Sequence, residues 1–205
     1  RLQLENRTAE LVAAQASWAQ LVPPLQFSGF GTVGVSASSL EDADFRSNSE
    51  QTEGVGRTAS PDYGVDSVFG VQASMQWNDR WSAVMQMQSR RLSVGAQDPY
   101  FEWANIRFAV TPNLSVRGGR IVAPVFMVSD ARSIGYSQTA VRLAPDVYQL
   151  APITYVEGGD IAWRMAFDDS LLRLNALHGG VDQSLTVSGE LRDYHFDLSI
   201  FSAEF

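Results

Sequence analysis

The chain has 205 residues, a formal net charge of −8, no cysteine and no lysine, so all 15 basic side chains are arginine. That length suffices for one domain with a sizeable core, and the lack of cysteine excludes disulfides and thiolate metal sites. Mean hydropathy near zero, with no run of eighteen apolar residues, excludes a transmembrane helix but not a β-barrel, which hides its apolar residues in alternation.

Residues 1–22 read as a helix, with Leu4, Leu11 and Trp18 recurring every seven and Arg7, Ala14 and Leu21 at the complementary heptad positions. The spacing predicts a coiled-coil seam of about three heptads; a short amphipathic helix lying on another surface is the alternative. Pro23-Pro24 ends it. No signal peptide is visible, and an opening on Arg1 reads as a processed or trimmed N-terminus.

A first strand is expected over Leu25–Val35. The stretch to Asp66 then crowds Glu41, Asp42, Asp44, Glu50, Glu53, Asp62 and Asp66 between the first two strands. With few apolar anchors, it is expected to be an exposed, protease-sensitive loop. Phe69, Val71, Ala73, Met75 and Trp77 alternate with polar residues, and after Asn78-Asp79-Arg80 the pattern resumes with Trp81, Ala83, Met85 and Met87. Such period-two alternation gives each strand one apolar and one polar face.

A fourth strand is expected over Tyr100–Val110, a tight turn at Thr111-Pro112-Asn113, and a fifth strand from Leu114 to Arg120 with a bulge or kink at Gly118-Gly119. A long, partly apolar loop fills 121–158. The sixth strand runs over Asp160–Phe167 and turns at Asp168-Asp169. A seventh carries Leu172, Leu174 and Ala176; His178-Gly179-Gly180 is read as a turn. An eighth carries Leu185, Val187 and Leu191, a turn falls at Arg192-Asp193, and a ninth runs from Phe196 to Phe205.

Strands of about ten residues, aromatics at their ends and connections that alternate short and long predict an all-β fold: an antiparallel transmembrane β-barrel. The organisation expected is a coiled-coil trimerisation helix over 1–22 and a barrel over 23–205. An odd count of about nine strands would leave open edges that lipid does not tolerate, so the chain reads as the N-terminal portion of a larger barrel.

Net charge is a poor guide to the lumen, because the local field is what a solute meets. Arg90, Arg107, Arg117, Arg164 and Arg173 fall on polar strand faces, Arg132 and Arg142 fall on the long loop, and the phase of Arg120 depends on the bulge. Arginine is always charged and binds a carboxylate through two parallel hydrogen bonds. The candidate constriction comprises Arg107, Arg117, Arg120, Arg132, Arg142, Arg164, Asp130 and Asp146, with the loop arginines sharing the load. In the bland alternative the arginines pair with Asp130, Asp146, Glu157 and Asp160. His178 and His195 are isolated, and no catalytic, metal or cofactor site is expected. No basic face interleaved with aromatics supports nucleic-acid binding.

The segment from Val116 to Asp160, VRGGRIVAPVFMVSDARSIGYSQTAVRLAPDVYQLAPITYVEGGD, resembles trimeric outer-membrane porins, in which a strand ending in an Arg-Gly-Arg-like element precedes a loop folded into the pore. The helical N-terminus narrows the resemblance to coiled-coil-bearing porins of the DcaP type, which have about twice the strands counted here. The resemblance implies a homotrimer in the bacterial outer membrane, in contact with lipid and lipopolysaccharide. Its N-terminal helix would lie in the periplasm, and its channel would pass small anionic solutes passively. Competing readings are a surface binding or structural protein that uses the acidic loop, and an outer-membrane hydrolase.

Overall fold

The computed structural model describes residues 25–92, 97–126, 128–140, 142–168, 170–187 and 190–205; the heptads of 1–22 lie outside them. Eight strands form one antiparallel sheet. In chain order these are β1 (Gln26–Thr32), β4 (Val68–Gln76), β5 (Trp81–Arg90), β6 (Pro99–Ala109), β7 (Leu114–Val122), β8 (Tyr155–Phe167), β9 (Ser170–Val187) and β10 (Glu190–Glu204). Between β1 and β4 a small hairpin pairs β2 (Asp44–Phe45) with β3 (Val55–Gly56). Every strand of the large sheet pairs with its neighbour in sequence, leaving β1 and β10 as open edges among the described residues.

The short turns carry their own hydrogen-bond acceptors. Asn78 Oδ1 accepts the amides of Arg80 and Trp81 at 2.9 Å, and Thr111 Oγ1 accepts the Leu114 amide at 3.0 Å. Asp168 closes the β8–β9 connection with φ of 50°, a left-handed conformation that aspartate tolerates better than most residues.

The strand count corrects the sequence expectation. The expected seventh strand and the part of the eighth that carries Leu185 and Val187 are one 18-residue strand, β9, with His178-Gly179-Gly180 inside it, while Leu191 belongs to β10. Arg192-Asp193 is likewise inside β10; the hairpin closes where Glu190 pairs with Val187. With eight strands, β1 starts and β10 ends at the short-turn end of the sheet. Residues 181–187 and 190–196 rise beyond the last β8–β9 pair, Glu157 with Gly180, as a projecting hairpin.

Glycines explain the misread turn. Gly118 pairs with Gly159, Gly119 with Gly158, and Gly158 with Gly179, a cluster spanning three strands. A Cβ on Gly158 would collide with the His178 carbonyl oxygen, and Gly119 has φ of 124°. The backbones therefore approach closely here because no side chain separates them.

The two faces of the sheet are inverted relative to a soluble protein. Gln86, Gln88 and Glu102 are each 2% exposed, while Val71, Met85 and Ile161 on the opposite face are 54%, 47% and 53% exposed. The inner face is covered by the two long connections. Ile121, Ala123, Val156 and Leu177 form a small apolar cluster that anchors the second connection through Ile153.

Candidate functional site

Four arginines stand on the inner face near the short-turn end. Cross-strand partners share a face, and Arg107 is directly opposite Arg117 on β6–β7, while Arg164 is directly opposite Arg173 on β8–β9. Like charges so placed destabilise a sheet, so a chain that keeps two such pairs has a use for them or an offsetting partner. Arg117 has one: its Nε donates to both carboxylate oxygens of Asp160, at 2.9 and 3.0 Å. Arg173 reaches Glu204 at 3.2 Å. Arg107 and Arg164 have no ion pair among the described residues. All four line an open cavity of about 520 Å³, closed on one side by Asp130 in a short 3-10 turn (Ser129–Ala131).

A second group lies farther toward the long-loop end. A β-bulge between Gln86 and Met87 breaks the alternation of β6, so that Trp103 pairs with Gln86 while Phe101 pairs with Met87. Glu102, the residue without a partner, is thereby buried on the inner face rather than exposed on the outer one. Arg90 sits over the Tyr100 ring at 5.8 Å and 3.6 Å from Glu50 of the first connection. Arg132 of the second connection approaches the Tyr148 ring at 6.0 Å. Arg90 and Arg132 together line a cavity of about 140 Å³. Glu50 is held by Gln183 Nε2 from the projecting hairpin. Burial pushes its carboxyl above the usual range against the pull of Arg90.

The first connection is a folded lid, which corrects the expectation of an exposed acidic loop. Gln51, Val55, Asp62 and Val65 are buried. Four of its seven carboxylates are consumed: Asp44 by Thr58, Glu50 by Gln183 and Arg90, Asp62 by Arg91 at 2.8 Å, and Asp66 by Arg142 at 2.6 Å. Burial acts to raise Asp62, but the Arg91 hydrogen bond and the amides of Val65 and Gly64 outweigh it and leave the carboxyl below the ordinary range. The Arg142–Asp66 pair, together with Gln149 Nε2 donating to Arg46 O at 3.1 Å, fastens one connection to the other.

The structure brings together most, not all, of the residues singled out from sequence. Arg107, Arg117, Arg164 and Asp130 share one cavity, and Arg132 and Arg142 line another. Arg142 is neutralised by Asp66, which the sequence did not foretell. Arg120 falls outside the inner row: it pairs in register with Ala104 and Glu157, donates to Glu157 at 3.0 Å and covers the Tyr155 ring at 4.1 Å. Asp146 is exposed in the helical turn Pro145–Tyr148 and lines neither cavity. Glu50, Glu102 and Tyr100 were missed; only the bulge and the fold of the lid bring them in. Among the described residues no group of three or more histidine or acidic side chains could hold a metal. The chain matches no protein-family model and no curated protein.

Proposed function

We propose that this sheet is the wall of an outer-membrane porin: its outer face meets lipid, and its inner face lines an aqueous passage that favours small anions. The observation that carries this reading is the inversion of the faces. Trp81, Met85, Ile106, Ile161, Trp163 and Phe167 are each 44% exposed or more, on strands β5, β6 and β8, whose opposite face buries Gln86, Gln88, Glu102 and Asp160. Soluble monomers rarely expose contiguous apolar patches beyond a few hundred Å², whereas lipid-facing barrel strands do so on every second residue. Trp77 and Trp81 at one end, and Phe69 and Phe101 at the other, occupy girdle positions.

In lipid the edges of β1 and β10 must be paired. An eight-stranded barrel is only wide enough for its own side chains, and here two long connections occupy the inner face. Closure into a barrel therefore requires a strand partner for each of these two edges. Within that lumen the free guanidiniums of Arg107 and Arg164, with Arg132 beyond them, lower the barrier for anions and raise it for cations. The homotrimer and the DcaP-type assignment rest on the sequence pattern of 1–22 and 116–160. The alternative of a cation- or polysaccharide-binding surface loop loses support because most of the lid's carboxylates are already partnered.

Reconstitution in planar bilayers tests the proposal. It expects stepwise conductance and a reversal potential of anion sign across a salt gradient, diminished in an Arg107→Gln, Arg164→Gln double variant. Cation preference, or no current, would overturn it.

A further inference from the structure

The cluster around Glu50 has a feature that neither folding nor anion passage requires. Glu50 Oε2 and Arg90 Nε are both buried without a hydrogen-bond partner, although the two side chains form an ion pair. At 3.6 Å that pair is too long for the bidentate bond that arginine and carboxylate make when free to choose. Buried polar groups are nearly always satisfied, so exceptions call for an explanation. Arg132, facing the same cavity, has no carboxylate within ion-pair distance among the described residues, though the charges of Glu50, Glu102 and Arg90 all act on it.

We infer that Arg90 and Arg132, with the Gln183 amide, form a binding site for the carboxylate of a small solute, and that Glu50 is a tethered surrogate occupying it. This rests on the porin reading given above and deepens it. With Glu50 in place, two guanidiniums, Arg90 and Arg132, share the cluster with two carboxyl groups, Glu50 and Glu102. Withdrawing Glu50 leaves both guanidiniums with one carboxyl group and vacates the place of a propionate group. The lid backbone need not move for this exchange, since Asp62–Arg91 and Asp66–Arg142 hold it. The pocket that Glu50 itself lines with Arg90 and Arg132 holds only about 10 Å³, so the displaced side chain must turn toward the cavity of about 140 Å³ that the same two arginines line, which is room for several waters.

A tethered competitor sets the concentration scale. Short tethers give effective concentrations in the millimolar range, so a free carboxylate reaches the site only when its concentration or geometry is better than that of Glu50. That keeps binding weak, as passage through a channel requires.

Propionate, the free equivalent of the glutamate side chain, is the probe. The full chain in detergent is unfolded thermally at increasing propionate, with chloride at equal ionic strength as control. A bound ligand raises the unfolding midpoint according to its occupancy. Glu50→Ala should respond at roughly tenfold lower propionate than the native protein, and adding Arg90→Gln should abolish the gain. Glu50→Gln keeps the volume and should gain general anion sensitivity, chloride included, which serves as a check should the alanine variant loosen the lid. Equal responses of native and Glu50→Ala proteins, or a gain that survives Arg90→Gln, would overturn the inference. Because this readout needs no current, a protein silent in bilayers would sink the porin reading while the midpoints still decide this site.

Discussion

The two faces of the sheet obey opposite rules although they share one backbone. On the outer face, Met85 stands exposed between Ala73 and Ala104, and Trp81 packs on Phe108 with ring centroids 4.6 Å apart. On the inner face Gln88 donates to Gln86 at 2.7 Å and Gln86 donates to Gln72 at 3.1 Å, a ladder of amides where a soluble protein would place leucine. Along β5 the buried side chains, Gln86 and Gln88, are polar and the exposed ones, Met85 and Met87, apolar, as the proposed lipid-facing wall requires. A core defined by exposure alone would be read inside out.

The sharpest way to break that contrast is to put the same charge on each face. Met85→Arg should cost about 2–4 kcal/mol, the range for arginine at the midplane of a barrel wall. Ser74→Arg, facing a cavity of about 600 Å³ on the adjacent strand, should stay within about 0.5 kcal/mol. Urea titration of refolding into vesicles measures both, and similar losses would mean that the faces are not differently solvated.

A smaller effect is expected inside. Asp160→Asn removes the charge that holds Arg117 beside Arg107 and should cost roughly 1.5–3 kcal/mol, the usual range for hydrogen bonds to charged groups. Part of that loss should return in an Asp160→Asn, Arg117→Gln double variant, since the orphaned guanidinium is then gone. The same titration reads it out.

The glycine cluster offers a third contrast. Gly158→Ala drives a methyl into the His178 carbonyl and should destabilise by about 1–3 kcal/mol. At Gly118 nothing lies within 4 Å of an added Cβ, so Gly118→Ala should be neutral to within about 0.5 kcal/mol.

The smallest effect concerns the lid. Asp62 and Asp44 both have carboxyls below their ordinary values. For Asp44 the hydrogen bonds from the Thr58 hydroxyl and amide come first. Groups depressed in the fold stabilise it above the unfolded pKa and lose that contribution as pH falls through the folded value. Cleavage of residues 36–66 by an acid-active protease should therefore be slow at pH 5 and rise below about pH 4. Rapid cleavage at neutral pH would contradict a packed lid.

Strand alternation made most of the sheet legible in advance, since period two survives in the large-sheet strands from β1 to β8 except at the β6 bulge. What failed did so for local reasons. His178-Gly179-Gly180 carries the composition of a turn, yet its glycines serve close strand packing. Ser188-Gly189, an equally good turn signal, sits between the paired ends Val187 and Glu190. Glu102 was invisible because one bulged residue reverses the parity of β6, and Arg120, whose phase the neighbouring glycines left open, falls on the face opposite Arg117. Glu50 is recruited across 133 positions to Gln183, a distance that no local pattern spans.

The inversion of the faces is tested most directly by the tryptophans. Trp163 stands on the outer face, 45% exposed, whereas Trp103 stands on the inner face at 8%. Single-tryptophan variants reconstituted in bilayers of brominated lipid should show strong fluorescence quenching at Trp163 and little at Trp103. Equal quenching of the two, or none at Trp163, would contradict a sheet whose outer face is solvated by lipid.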